Sequence, residues 1–136
     1  MSVAFNKFQP FVANLANGVF NLGSDSLKIA LTNTVPVNTN TQLSNLTEIS
    51  YTNCSARTVT TTSSVQASGT YKLILVNLVL TSSGTVGPFQ YIVLYDDTST
   101  NKNLIGYWDY GSALTLNNSD TLTITFDGTN GVVQIT

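Results

Sequence analysis

Few side chains in this sequence can do chemistry, and their types limit what that chemistry is. There are seven acidic residues, of which Glu48 is the only glutamate, five basic residues, one cysteine and no histidine. Without histidine there is no Ser-His-Asp triad, no Cys-His pair and no imidazole metal site. Cys54 has no second cysteine for a disulfide or a thiolate cage. It lies in a polar, loop-like stretch with no basic cluster to lower its pKa, and reads as an incidental thiol. Asp96-Asp97 and Asp109 flank an expected hairpin, and Asp120 and Asp127 lie at the ends of another strand. Calcium takes roughly six to eight hard oxygens, and no Asp-x-Asp-x-Asp-Gly loop offers them. The plainer reading is that these aspartates cap turns through the local backbone. A glycosidase needs two carboxyls about 5–9.5 Å apart in a cleft, and nothing in the sequence places such a pair. We therefore expect no enzyme, no metal and no other cofactor.

One aromatic constellation remains. Tyr107-Trp108-Asp109-Tyr110, with Tyr91 and Tyr95 on the preceding strand, offers ring faces for a sugar and a carboxylate for its hydroxyls. The same residue types mark protein contacts, and also ordinary core and cross-strand packing. Strand alternation puts Tyr107 and Asp109 on one face and Trp108 and Tyr110 on the other, so one pair is expected in the core. Asn45-Leu46-Thr47, Asn53-Cys54-Ser55 and Asn117-Asn118-Ser119 match the N-glycosylation pattern. So many Asn, Ser and Thr produce such matches by chance.

The elements that must position these residues are mostly strands. Phe8, Phe11, Val12, Leu15 and Val19 recur at helical spacing, so one helix is expected over about 7–16. Asn6 and Gln9 suit a capping box, Pro10 fits only the first turn, and Asn17-Gly18 is a stop. Beyond it the period becomes two. Leu27, Ile29 and Leu31 alternate with Lys28, Ala30 and Thr32, as in a half-buried strand. Residues 33–50 form a long connection, with a weak helical turn near 41–46. Strands are expected over 57–66, over 71–80 and over 89–95, after the breaker Gly87-Pro88. The last two are apolar on both faces and should be covered on both sides. Leu104–Tyr110 and a short 114–116 follow. Leu122, Ile124 and Phe126 then alternate, and Asp127-Gly128-Thr129-Asn130-Gly131 should turn the chain into a hairpin with Val133 and Ile135. Seven or eight strands with one N-terminal helix define an all-β, antiparallel, jelly-roll-like β-sandwich.

Composition agrees with that class. At 136 residues the chain is one domain (1–136), with an arm and helix over 1–20 and a sandwich over 25–136. Charged residues make up 9%, against roughly a quarter in an average domain. Ser, Thr and Asn replace them, with about 50 residues, while 42% is hydrophobic, so the chain folds. Lys7, Lys28, Arg57, Lys72 and Lys102 are scattered and make no phosphate-binding stripe, so no nucleic acid is expected. No apolar run nears the roughly 20 residues of a membrane span, so no membrane is expected. The first residues lack the basic and apolar regions of a signal peptide, which points to synthesis in the cytoplasm. Val3, Phe5, Phe8 and Phe11 are much apolar surface for a short leading segment. They serve as a lid on the sandwich, as a contact with partner subunits, or as both.

Several strings occur in order: Phe5-Asn6-Lys7-Phe8, Leu27-Lys28-Ile29-Ala30-Leu31-Thr32-Asn33-Thr34, Leu46-Thr47-Glu48-Ile49 and Ser68-Gly69-Thr70-Tyr71-Lys72-Leu73. Gly87-Pro88-Phe89-Gln90-Tyr91, Leu94-Tyr95 and Leu104-Ile105-Gly106-Tyr107-Trp108-Asp109-Tyr110-Gly111 follow. Over nearly its whole length the chain resembles a family of small virion proteins of tailed bacteriophages, of the kind read as capsid decoration (cement) proteins. The stretch 50–55 is shorter and less glycine-rich than the resemblance implies. The resemblance implies a place on the capsid surface of the virion, a homotrimer, the major capsid protein as partner, and neither metal nor catalysis. It directs the contact role to residues 2–11 and parts of the 33–50 loop, with Val3, Phe5, Phe8, Phe11, Val35 and Pro36 as the expected interface. A fibre or receptor-binding tip that holds glycan at Tyr107, Trp108, Asp109 and Tyr110 is the alternative, as is a tail or connector component.

Overall fold

The computed structural model describes residues 3–136. Met1 and Ser2, which begin the expected arm, lie outside the described residues. The fold is an antiparallel all-β sandwich. The strands are β1 (Asn6–Lys7), β2 (Leu27–Thr32), β3 (Thr58–Val59), β4 (Thr61–Ala67) and β5 (Thr70–Leu75). β6 (Leu78–Thr81), β7 (Val86–Asp96), β8 (Leu104–Leu116), β9 (Thr121–Ile124) and β10 (Val133–Ile135) complete them. The helix α1 spans Gln9–Ala16, and a 3₁₀ turn occupies Leu43–Asn45, inside the weak helical signal at 41–46. The described residues form ten strands rather than seven or eight: two expected strands divide, β1 was not expected, and the expected 114–116 strand is part of β8.

The larger sheet runs β1-β8-β7-β2-β3; β10-β5-β4 and β6-β9 form the smaller ones. Register places Leu27, Ile29 and Leu31 on the same face as Ile92, Leu94 and Trp108. These residues share one core with Leu73, Leu75, Leu80, Ile124 and Phe126. The Trp108 and Phe126 rings, 5.6 Å apart, join a strand of the large sheet to the end of β9.

The other face of the large sheet departs from expectation. β2 was expected to be half-buried, yet Ala30 and Thr32 are as buried as Leu31. The long connection lies over that face. Thr32 Oγ1 donates to the Thr47 carbonyl at 2.5 Å, and the Ile49 amide donates to the Leu31 carbonyl at 3.0 Å. Both faces of β2 are therefore dry from Ile29 onward, and so are Ile92 to Asp96 of β7, as the apolar run there foretold.

Residues 71–80 do not make one covered central strand. The chain breaks at Val76-Asn77, and β5 and β6 join different sheets. The Asn77 Oδ1 accepts the Phe126 amide at 3.0 Å, which fixes the break. Residues 57–66 likewise divide into β3 and β4. Gly87-Pro88 lies inside β7, at a register shift, instead of before it, and the expected short 114–116 strand is the far end of β8. The expected C-terminal hairpin does not form. β9 pairs with β6, and β10 pairs with β5. The reason lies in the turn. Asp127 Oδ1 accepts the amides of Thr129 and Asn130, both at 2.9 Å, and the Val132 amide is taken by Leu73 at 2.8 Å. Gly131 has φ +81°, and a Cβ there would lie 2.7 Å from the Leu73 carbonyl oxygen. Only glycine lets the chain pass this close and cross to the other sheet.

Helix α1 starts two residues later than expected. Pro10 is in its first turn, but Phe8 precedes it with no side-chain cap, so the Asn6–Gln9 capping box is absent. Asn6 is instead a strand residue, paired with Tyr107. The Phe8 and Gln9 amides are satisfied from outside the helix, by the carbonyls of Ile105 at 3.1 Å and Asn38 at 2.9 Å.

Candidate contact surface

The leading segment is held in three ways. β1 adds two residues to the edge of the large sheet beside β8. Phe5 stacks on Trp108 with ring centres 5.0 Å apart. Its ring also fills the space over Gly106, where any Cβ would collide with it. The segment then turns inward. Phe8 is fully buried with its ring 5.3 Å from that of Tyr107. Phe11 is buried against Phe20, 5.1 Å away. Phe8 and Phe11 therefore do not present a contact surface: they are core, the lid half of the expectation. Pro36 is buried as well, whereas Val35 is 58% exposed and its neighbour Val37 57%. Val3 is at the border of exposure and Phe5 is half-buried. Together with Trp108, Phe126 and Val132 they line an open groove of about 420 Å³.

The Gln9–Asn38 hydrogen bond has a consequence for the surface. It ties the 33–50 connection to the start of α1. Exposed Val35 and Val37 come next to Asn38 in the chain, and exposed Val12 lies one turn along the helix from Gln9. The two segments expected to make contacts are thus joined, with Val35 of the expected set, and Val12 and Val37 besides it, facing out.

The aromatic platform does not assemble. Trp108 is buried between Phe5 and Phe126. Tyr107 is half-buried, with Phe8 against it and Tyr91 edge-on at 6.4 Å. Asp109 Oδ1 is occupied by Gln90 Nε2 at 3.0 Å and the Gly111 amide at 2.8 Å. Of the three rings Tyr110 alone is exposed, next to the exposed Asp109. Both aromatic faces of the strand are used for packing, and no two rings lie open side by side.

The aspartates act as turn caps, as their spacing suggested. Asp96 Oδ1 accepts the amides of Thr98 and Ser99, and Asp120 Oδ2 that of Asn117. The amides on Asp127 hold its carboxyl below the usual range. Lys102, at 2.8 Å, does the same for Asp97. Among the described residues no three of His, Cys, Asp or Glu come together. Burial pushes the Cys54 thiol up, which keeps it protonated and unreactive at neutral pH.

Two clusters were not foreseen. Arg57, the only arginine, lies 3.6 Å over the Tyr51 ring and donates to the Ile29 carbonyl at 2.5 Å. The Tyr51 hydroxyl donates to Glu48 Oε1 at 2.7 Å and accepts the Leu31 amide at 2.9 Å. The second cluster is a carboxyl pair. Asp96, fully buried, lies within hydrogen-bonding reach of Asp25. Burial first, and then that neighbour, raise the Asp96 carboxyl from 3.8 to about 7. The folded chain therefore holds a proton that the unfolded chain releases near its ordinary pKa. Stability from this group should be fully present near pH 4 and fall by roughly 2–4 kcal/mol as pH rises through 7 to about 8. Urea unfolding across that range measures it, and Asp96→Asn should flatten the profile.

A scan against protein-family models, a search of curated proteins and a search of solved structures returned no match.

Proposed function

We propose that this protein is a structural virion protein of a tailed phage, a capsid decoration protein that binds the outside of the shell and joins neighbouring capsomers. The resemblance of the chain's ordered strings to such virion proteins supports the class. The observation that carries the contact assignment is the bond between Gln9 and Asn38. It joins the leading segment to the long connection and leaves Val12, Val35 and Val37 exposed around the join. The expected contact set of Val3, Phe5, Val35 and their neighbours is kept, without Phe8, Phe11 and Pro36.

The surface suits the task. Identical copies packed on one lattice repel if each carries a large net charge, and this chain carries −2. A homotrimer on a local threefold axis would meet several major capsid protein subunits at once. Multivalent attachment then resists their separation without any single tight site.

The test is the number of copies in purified particles, by quantitative mass spectrometry against the major shell protein. A ratio near one to one supports decoration. A ratio below about one in ten is too sparse for a symmetric lattice and overturns it in favour of a fibre, tail or connector component. Val35→Asp combined with Val37→Asp should leave the fold intact, since both side chains are exposed, and should remove at least about nine-tenths of shell binding by placing unpaired charge in the contact.

A further inference from the structure

We propose that β4 is a pairing edge for a second copy of this chain: two β4 strands meet antiparallel about a two-fold axis at Val65 and join their sheets into one. The contact stands apart from any made with a shell.

The first observation is the open side of β4. The strand ends the sheet β10-β5-β4, so one of its sides has no neighbour. The phase of the ladder says which backbone groups lie there. The Leu73 carbonyl accepts the Val132 amide at 2.8 Å, so Leu73 turns its polar groups toward β10. Its partner across the ladder, Ser64, then turns its own away from β5, and Gln66 does the same two residues on. The turn agrees. Ser68 and Gly69, at φ 53° and 80°, close a two-residue hairpin in which Ala67 and Thr70 are the bonded pair. Ser63, Val65 and Ala67 therefore bond to β5. The N–H and C=O groups of Ser64 and Gln66 face outward, with no partner among the described residues. Gly23 lies beside the Ser64 hydroxyl but makes no backbone bond to β4.

The second observation is that this edge is unguarded. Exposed edges are usually kept short, charged or kinked, because an open row of backbone groups is a template for another strand. The end strands β1 and β3 have two residues each and β10 three, and β6 and β9 have four each. The outer part of β8 carries Asp109 and, at Gly111, a φ of +95°. β4 has seven residues with neither charge nor proline. Only the register shift between Thr61 and Ser63 interrupts it, which leaves 63–67 regular. Val65, in the middle of that stretch, is 60% exposed, more than any other large apolar side chain among the described residues.

What fits this edge is the same edge reversed. Ser64 and Gln66 lie one residue to either side of Val65. Rotation about Val65 sets each Ser64 against Gln66 of the other copy, and each such pair exchanges both backbone bonds. Val65 then faces Val65 of the second copy in the close, non-bonded pair, one β-branched side chain on another, and Ser63 faces Ala67. Charge does not oppose the pairing. None of the seven acidic residues lies in β4, β5 or β10. The one charge of this sheet, Lys72, is opposite Val65 in the ladder and donates to the Thr129 carbonyl at 3.1 Å. The two copies of Lys72 would stand three strand spacings apart, about 14 Å, beyond the screening length of about 8 Å. Such an isologous contact closes on itself, with no β4 edge left for a third copy.

The test is sedimentation equilibrium of the full chain from about 10 µM to about 1 mM, a range set by the small area of one strand pair. The expected result is a reversible rise in mass with concentration, from one chain to two, or from a trimer to larger assemblies if copies are also joined elsewhere. Val65→Lys should weaken the association at least about tenfold, by setting like charges opposite each other, and leave the urea midpoint of the exposed position in place. The amides of Ser64 and Gln66 should exchange with deuterium more slowly as association proceeds. Those of Ser63 and Val65, already bonded to β5, should not change. In a Cys54→Ser background, Val65→Cys should give a linked dimer on mild oxidation. The facing Cα atoms would be about 4.5 Å apart, inside the disulfide range of about 4.4–6.8 Å. Val79→Cys, also exposed but on β6, should not link. Three results would overturn the edge. One is a mass that does not rise up to about 1 mM. Another is an association that Val65→Lys leaves unchanged, which would place it on a different surface. The third is Val65→Cys dimers that form no faster than those of Val79→Cys.

Discussion

Replacing Phe8 by alanine is expected to lower the stability of the fold by about 3–5 kcal/mol, read as a shift in the midpoint of urea unfolding. The ring is fully buried and sits at the one place where the leading segment, the helix and the large sheet meet. Its amide is bonded to Ile105 and its ring lies on Tyr107. Truncation removes the six ring carbons from dry surroundings, and backbone bonds on both sides prevent collapse into the gap. The same substitution separates two roles. A contact residue on a free surface would cost binding and leave the unfolding midpoint in place. Phe8 should shift the midpoint first. For the same reason deletion of residues 2–11 is a poor probe of shell binding, because it removes Phe8 and Phe11 from the core.

Much of the fold was legible because its main signals are local. Alternation at 27–32 and the doubly apolar run at 89–95 mark the two central strands, and Pro10 with Asn17-Gly18 brackets the helix to within two residues. The errors share a cause, which is that a strand's neighbours are not written in its own period. Alternation in β2 says that one face is dry. That the other is dry as well depends on Thr47 and Ile49, many residues away. Asp127-Gly128 and Asn130-Gly131 say that the chain turns, but a cross-over between sheets and a hairpin use the same turn residues. The site was less legible than the fold. Phe8 and Phe11 looked like surplus apolar surface because Tyr107 and Phe20, whose rings pack against them, have no sequence mark as receptors. Asp25 has no motif around it, and its nearness to Asp96 comes only from the ladder of β2 on β7.

The second large effect belongs to Arg57, which the sequence presents as one of five scattered cations. Arg57→Ala is expected to cost about 3–4 kcal/mol, as much as a sizeable core residue. Two losses add. The guanidinium leaves the face of Tyr51, a contact worth about 2 kcal/mol when desolvated. The Ile29 carbonyl loses its charged donor beside a core strand, worth about 1.5–3 kcal/mol. Some of each is recovered by water and by relaxation of the loop, which sets the total below the sum of the upper values. Arg57→Lys separates the two contributions. It keeps a charge for the carbonyl but has no plane to lay on the ring, and should recover less than half the loss. Tyr51 supports the assignment from the other side. Burial raises its hydroxyl far above the ordinary range, so it stays a donor to Glu48 at every pH at which the fold is studied. The only arginine and the only glutamate of a charge-poor chain are therefore used on one tyrosine. They fasten the long connection to β2, and that connection is the one carrying Val35 and Val37. If Arg57→Ala unfolds at the wild-type midpoint, the connection is held by its apolar residues alone, and the clamp has been misread.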